Sequence, residues 1–340
     1  MKALITGGAG FIGANLAHRL IGRGDDVTVF DNLSRRGTEL NLAWLRQVHG
    51  PKAFCFVQAD LRDYPALLQA TRDAGVVYHL AGQTAVTTSI IDPRGDFENN
   101  ALGTFNALEA AREAGADPLF IYTSTNKVYG GMEDVVIEEQ GSRYVYRDFL
   151  QGMDESRPLD FHSPYGCSKG AGDQYTRDYA RIYGLRTVVL RQSCIYGYRQ
   201  LGVEDQGWVA WLVIAAVTGK PITIYGDGKQ VRDVLFIDDL LDMYDAVVAH
   251  SDTAAGQVYN VGGGPERILS IWAEFGPMLE QLTGQPLPVS YQDWRPGDQL
   301  VCVLNTDKAR RELGWSPKVS VQEGIERLYH WIVENRHLFT

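Results

Sequence analysis

Apolar and polar positions come in blocks along the first 190 residues, and the blocks have two different periods. Residues 2–6, 27–30, 54–57, 76–79, 119–122 and 187–190 are short, nearly continuous apolar runs. Runs of this length read as strands buried on both faces. Between them lie stretches of helical spacing. In 11–23 the apolar residues Phe11, Ile12, Leu16, Leu20 and Ile21 share one stripe, and 97–113 and 165–183 read the same way. Buried strands separated by helices predict an α/β doubly wound parallel sheet with helices on both faces. On such sheets ligands sit at the carboxyl ends of strands, where strand order reverses.

After about Arg191 the texture changes. Glycine, tryptophan and proline become denser and the alternation fails. This predicts a smaller, interleaved C-terminal lobe, with 234–250 returning to the sheet. The expected division is 1–190 with 230–260 as the sheet domain, and 191–229 with 261–340 as the lobe. The stretch 130–163 is long for a connection and both polar and aromatic. Such a loop is functional, mobile or a plain surface excursion.

Charge and composition narrow the partners. The net charge is −10 and the pI about 5.2. A field of that sign repels nucleic acid and anionic membranes, so an anionic ligand needs a local cluster of donors. Cys55, Cys167, Cys194 and Cys302 lack CxxC spacing, and the seven histidines lack metal-ligand spacing. No disulfide framework and no metal site is expected. The longest apolar stretch, 208–217, is about half a membrane span. The opening MKALITGG enters a strand at once and leaves no room for a signal peptide. The expectation is a soluble cytoplasmic protein.

Chemistry enters with TGGAGFIG, which sets Gly7, Gly10 and Gly13 between a strand and a helix that opens with Phe11 and Ile12. Glycines there permit a tight turn and bring backbone N–H groups to a pyrophosphate at the helix N-terminus. Asp31 ends the next strand, where a carboxylate accepts from both ribose hydroxyls of an adenosine and repels a 2′-phosphate. This favours NAD over NADP, although Arg35 and Arg36 nearby could hold that phosphate. Glycines that merely pack helix on strand would not account for Asp31. Asp60 and Leu61 can bracket adenine. Leu80, Ala81 and Gln83 in HLAGQ can lie beside the phosphates, and Asn99 near a ribose.

Tyr165 and Lys169 are four residues apart in SPYGCSKGAGDQY and share one helix face. An ammonium beside a phenol lowers the phenol's pKa and makes it a usable base. A strand end rich in hydroxyls, TSTNKVYG, can place a substrate oxygen.

These motifs in this order resemble the extended short-chain dehydrogenase/reductase family, specifically its nucleotide-sugar epimerases and dehydratases, along essentially the whole chain. The resemblance implies a Rossmann fold, NAD held through turnover, a nucleotide-diphosphate sugar as substrate and a homo-oligomer, dimer or tetramer. It implies Thr125, Tyr165 and Lys169 as the catalytic group. It adds Asn32, Ser34, Arg35, Thr123 and Gln192 to the cofactor contacts. For the substrate it implies Thr84, Thr125, Asn126, Lys127, Ser193, Cys194, Gln206, Gly207, Tyr225, Arg232, Arg295 and Asp298, with the two arginines on the diphosphate. The longer stretches FDNLSRRG, HLAGQTAVTTSI, STNKVYG, LDFHSPYGCSKGAGDQY and GKQVRDVLF resemble the branch that inverts C2 of a CDP-linked 3,6-dideoxyhexose. Family dehydratases carry an Asp-Glu pair after the triad hydroxyl. Here Asn126 and Lys127 stand there, and neither can serve as that acid and base. Alternatives are a 4-epimerase, a reductase that releases its product, and a dinucleotide-sensing protein without turnover.

Overall fold

The structure, a computed structural model, describes residues 1–295 and 298–339. Strands β1 (Lys2–Thr6), β2 (Asp26–Asp31), β3 (Cys55–Gln58), β4 (Val76–His79) and β5 (Leu119–Thr125) precede a hairpin of β6 (Ile137–Gln140) and β7 (Arg143–Tyr146). Next come β8 (Thr187–Gln192), β9 (Cys194–Tyr196), β10 (Ile222–Tyr225), β11 (Val231–Phe236) and β12 (Val258–Val261). The last are β13 (Ile268–Ser270), β14 (Val289–Gln292) and β15 (Val301–Cys302).

Seven strands form the main sheet in the order β12-β8-β5-β4-β1-β2-β3. The pairs β1–β2, β1–β4, β2–β3 and β4–β5 are parallel. The chain runs outward from β1 through β2 to β3, then crosses to β4 on the other side of β1. The reversal between β1 and β4 is the switch point that the hydrophobic pattern predicted. Strands β4 and β8 are buried at every position, which is why they read as continuous apolar runs. The helix Phe11–Gly22 buries Ala14, Leu16, Ala17 and Leu20.

The chain divides into two compact units. The first is Met1–Val128, Phe161–Arg191 and Tyr244–Tyr259; the second is Tyr129–Asp160, Gln192–Met243 and Asn260 onward. The interleaving was expected, but the boundaries differ at 129–160 and 230–243, which belong to the second unit. Hydrogen bonds explain the first difference: the Tyr146 hydroxyl donates to the Val301 carbonyl at 2.9 Å and the Tyr129 hydroxyl to Asn260 at 2.7 Å. Strand pairing explains the second, because β11 pairs with β9, β13 and β15. The apolar stretch around 208–217 is the helix Trp208–Thr218, which buries Val209, Ala210, Leu212, Val213, Ile214, Ala215 and Ala216 in the second unit. Among the described residues no helix is long and apolar enough to cross a membrane.

Candidate active site

At the carboxyl end of β1 the chain turns at Gly7, with φ +68°. A Cβ there would lie 2.8 Å from the Cα of Ala81. A Cβ on Gly13 would lie 2.2 Å from the Gly7 carbonyl oxygen. Only glycine fits either place. Gly10 opens the helix Phe11–Gly22 without a side-chain cap, so the first-turn N–H groups are those that suit an anion. Leu80 and Ala81 are pinned to β1 by bonds to the Thr6 carbonyl and hydroxyl at 3.2 and 3.3 Å.

Asp31 is 8% exposed and accepts from the backbone N–H of Ala9 at 3.0 Å and of Leu33 at 2.8 Å. Each carboxylate oxygen uses one bond there and keeps capacity for a hydroxyl. Burial raises its pKa, and the two backbone bonds oppose that. Asn32 donates to Asp60 at 2.8 Å, and its own oxygen accepts from the Ser34 N–H at 3.0 Å. Arg62 grips Asp60 with two nitrogens and holds its carboxyl well below the usual range. Leu61 is buried beside it. Arg35, from the segment after β2, donates to the Thr84 hydroxyl after β4 at 2.8 Å.

The base and its lysine stand on the helix Ser163–Tyr183, which lies close to β5. A Cβ on Gly172 would be 2.5 Å from the Tyr122 hydroxyl. Tyr165 and Lys169 are both buried, at 8% and 6% exposure. Thr125 ends β5, and its side chain favours the ionised form of the Tyr165 phenol. The Thr125 hydroxyl also meets Asn126 Oδ1 and the Lys127 N–H, each at 3.2 Å. Lys169 donates to the Thr123 carbonyl at 2.5 Å and lies 4.5 Å from the centre of the Tyr122 ring. The Thr123 hydroxyl turns instead to Tyr244, 3.2 Å away.

One expectation is corrected. The sequence assigned the lowering of the phenol to Lys169. Here burial wins and pushes Tyr165 up to about 12, opposed by the Thr125 side chain and the charge of Arg35, while the charge of Asp96 adds to the rise. Burial pulls Lys169 down to about 7, while Asp173 and Asp96 support its charge. Arg35 donates to Thr84, and its charge favours the ionised form of the Tyr165 phenol.

A second departure concerns asparagines. Asn99 folds back on its own helix, donating to the Gly95 carbonyl at 2.7 Å. Its neighbour Asn100 reaches the catalytic helix, donating to Ser168 at 3.1 Å and to Asp96 at 3.1 Å. Gln83 also serves this network, with its amide on Asp96 at 3.0 Å and on the Ala85 carbonyl at 2.7 Å. The sequence reading missed Asp96, Asn100 and Ser168. The available signal was Asp96 and Asn100 at helical i, i+4 spacing. It also missed Asp173, which pairs with Arg191 at 2.9 and 3.0 Å and accepts from Ser124 at 2.8 Å.

The second unit brings together several substrate candidates. The Arg295 guanidinium lies 3.9 Å from the centre of the Tyr225 ring and 3.2 Å from Asp205. Asp298, whose N–H donates to the Arg295 carbonyl at 3.1 Å, pairs with Arg232 at 2.6 Å. Pro296 and Gly297 of the WRPGD motif lie outside the described residues. Elsewhere in this unit Ser193 is committed to Asp233, bonding its carbonyl at 3.0 Å and its carboxylate. Cys194 accepts from the Trp208 indole at 3.4 Å. Gln206 forms a tight bridge with Val203, and Gly207 has φ +74° at the start of the helix Trp208–Thr218. Gln192 is buried at the end of β8. Arginine forks beside an aromatic ring suit a nucleoside diphosphate.

Residues 3–262 match the model of the NAD dependent epimerase/dehydratase family. The chain belongs to that family. Over 97% of its length, and 99% of the relative's, it is 45% identical to CDP-paratose 2-epimerase of Salmonella typhi. Among solved structures it resembles UDP-glucose 4-epimerase of Thermotoga maritima, with UDP-glucose, at a TM-score of 0.85. That match has 29% identity and covers 99% and 100% of the two chains. It also resembles UDP-glucuronic acid 4-epimerase of Bacillus cereus in complex with UDP-glucuronic acid and NAD, at a TM-score of 0.83, 30% identity and 98% and 100% coverage. Like the rest of the epimerase/dehydratase family, the protein is an NAD-dependent enzyme. Its residues fit the cofactor: a glycine cradle that a single Cβ would fill, an uncapped helix start and a buried Asp31 with open acceptor capacity.

Proposed function

We propose that the chain is an NAD-dependent nucleotide-sugar 2-epimerase whose substrate is a CDP-linked deoxyhexose. The observation that carries this reading is the 45% identity to CDP-paratose 2-epimerase across nearly the whole of both chains, together with Asn126 and Lys127 directly after Thr125. A neutral amide and a cation there cannot perform the acid and base work of a dehydratase.

Gly7, Gly10, Phe11, Ile12 and Gly13 would hold the pyrophosphate of NAD, and Asp31 its adenosine ribose. Bound NAD supplies the acceptor, and then the donor, of hydride at the sugar carbon. Tyr165 takes the proton of the C2 hydroxyl as the carbon is oxidised and returns it after the other face is presented. Thr125 holds the reacting oxygen. Lys169, anchored on the Thr123 carbonyl, supplies the positive charge that the phenolate needs. Because burial holds the phenol high in pKa, Tyr165 needs cationic help from Arg35 and Lys169 to lose its proton near neutral pH. Arg232 and Arg295 would neutralise the substrate diphosphate, and Tyr225 would stack at the nucleotide end.

A homo-oligomer is part of the same proposal. Phe105 and Tyr175 meet edge to face at 5.9 Å, and Tyr175, Ile182 and Tyr183 are exposed along the helix Ser163–Tyr183. An apolar stripe of this kind suits a second copy of the chain. Cytoplasmic residence is proposed too, since among the described residues none of the four cysteines is in a disulfide, which suits a reducing compartment. Incubation with CDP-, UDP- and GDP-hexoses, read by NMR, tests the function. Inversion at C2 of a CDP-sugar is expected; inversion at C4 alone would overturn the assignment.

A further inference from the structure

Asp96 has no part in the chemistry above, yet it is only 1% exposed and lies among the residues that carry it. It sits on the short helix Pro93–Phe97. One carboxylate oxygen accepts from Gln83 at 3.0 Å and Asn100 at 3.1 Å; the other accepts from the Ser168 hydroxyl at 2.5 Å. Ser168 directly precedes Lys169, and its hydroxyl is also 3.2 Å from the carbonyl of Tyr165. Three neutral donors therefore hold a buried charge against the catalytic turn. A carboxylate so placed needs a nearby cation, since burial disfavours the charged form.

The geometry points to Asp96 as a positioning residue that anchors the catalytic helix through Ser168 and adds, beside Asp173, to the negative charge around Lys169. Of the other described groups around Lys169, only Asp173 shares this role. Asp173, one turn along the helix, also supports the charge of Lys169, although it is itself paired with Arg191. His79 is buried and held neutral, with its pKa down to about 3. Tyr122 presents its ring, and Thr123 only a carbonyl. Tyr165 stands on the same helix face as Lys169; Arg35 favours its ionised form and Asp96 disfavours it. On the far side of Asp96, Asp92 adds a like charge. The inference rests on the proposed function only in taking Tyr165 and Lys169 as the reacting pair, whichever sugar carbon is inverted.

Asp96→Asn tests the charge with the bonds preserved. The asparagine oxygen can keep Gln83 and Asn100, and the Ser168 hydroxyl can turn to the Tyr165 carbonyl and accept from the new amide. The enzyme is labelled with [ε-13C]lysine, and the Lys169 resonance is assigned by its loss in Lys169→Met. Titration of D96N, with its bound NAD, is expected to lower the Lys169 midpoint by about half a pH unit or more, roughly a threefold change in the equilibrium. Where substrate is turned over, kcat should fall with KM little changed, and increasingly so as pH rises. Asp96→Ser, a smaller neutral acceptor, carries the same expectation if D96N does not fold. A Lys169 midpoint unchanged in a folded, NAD-retaining variant would overturn the inference. Failure to invert C2 would count against the substrate assignment and leave the lysine titration standing.

Discussion

The two units hold their functional side chains in opposite ways. In the first, Tyr165, Lys169, Asp96 and Asp173 are buried and bonded from several elements at once. In the second, Arg295 is part-exposed, stacked on one ring and paired with an exposed Asp205. A reacting group must be fixed to within a fraction of an ångström, which needs burial and redundant bonds. A group that neutralises a phosphate needs charge and reach more than rigidity. Damage to the first unit should therefore act on the chemical step or the fold, and damage to the second on substrate affinity.

The largest break is Tyr165→Phe. Turnover should fall by about a thousandfold or more while NAD remains bound, as read by kinetics and by the cofactor released on denaturation. Next is Asp173→Asn. It strands Arg191, which is 2% exposed, and should cost roughly 3 kcal/mol of stability in denaturant melts. Such a loss would be out of proportion for a residue that touches neither ligand.

Asp233 sharpens the contrast inside the second unit. Burial pushes its carboxyl up to about 7, against the opposing bonds of Ser193 and the Gly264 N–H. The folded state thus favours the protonated form. That contribution is full below the unfolded pKa near 4 and is lost as pH rises through about 7. The stability difference between wild type and Asp233→Asn should shift by on the order of 2 kcal/mol between pH 5 and pH 8, with the wild type losing ground. A flat difference would mean that Asp233 is ionised throughout. The smallest effect belongs to Arg295→Ala, which should raise KM for the nucleotide sugar about tenfold and leave kcat nearly unchanged.

The same contrast governs what the sequence revealed. The glycine loop, Asp31 and the Tyr165–Lys169 pair were legible because each is a local pattern with a fixed offset on one turn or one helix face. The main-sheet strands were legible because burial on both faces leaves a continuous apolar run. Asp96, Asn100 and Ser168 were not, because their meeting depends on how the segment after β4 packs on a helix 72 residues away from Asp96. Nothing in Asn99-Asn100 says which amide turns inward. Both lie in the π-helical turn Glu98–Leu102. The contact of Arg35 with Thr84 could not be read from the sequence because it spans 49 residues. The stretch 130–163 read only as a long connection, because its partners, Asn260, Val301 and Leu304, come much later in the chain.

The central claim is reversible oxidation at a sugar carbinol with Tyr165 as the base, and isotope placement tests it most directly. A CDP-linked 3,6-dideoxyhexose carrying deuterium at C2 is incubated with the enzyme in ordinary water and followed by NMR and mass spectrometry. The account expects the C2 epimer to form with its deuterium still at C2, and no such product from Tyr165→Phe. Washout of the label into solvent during inversion, or inversion at full rate in the variant, would contradict it.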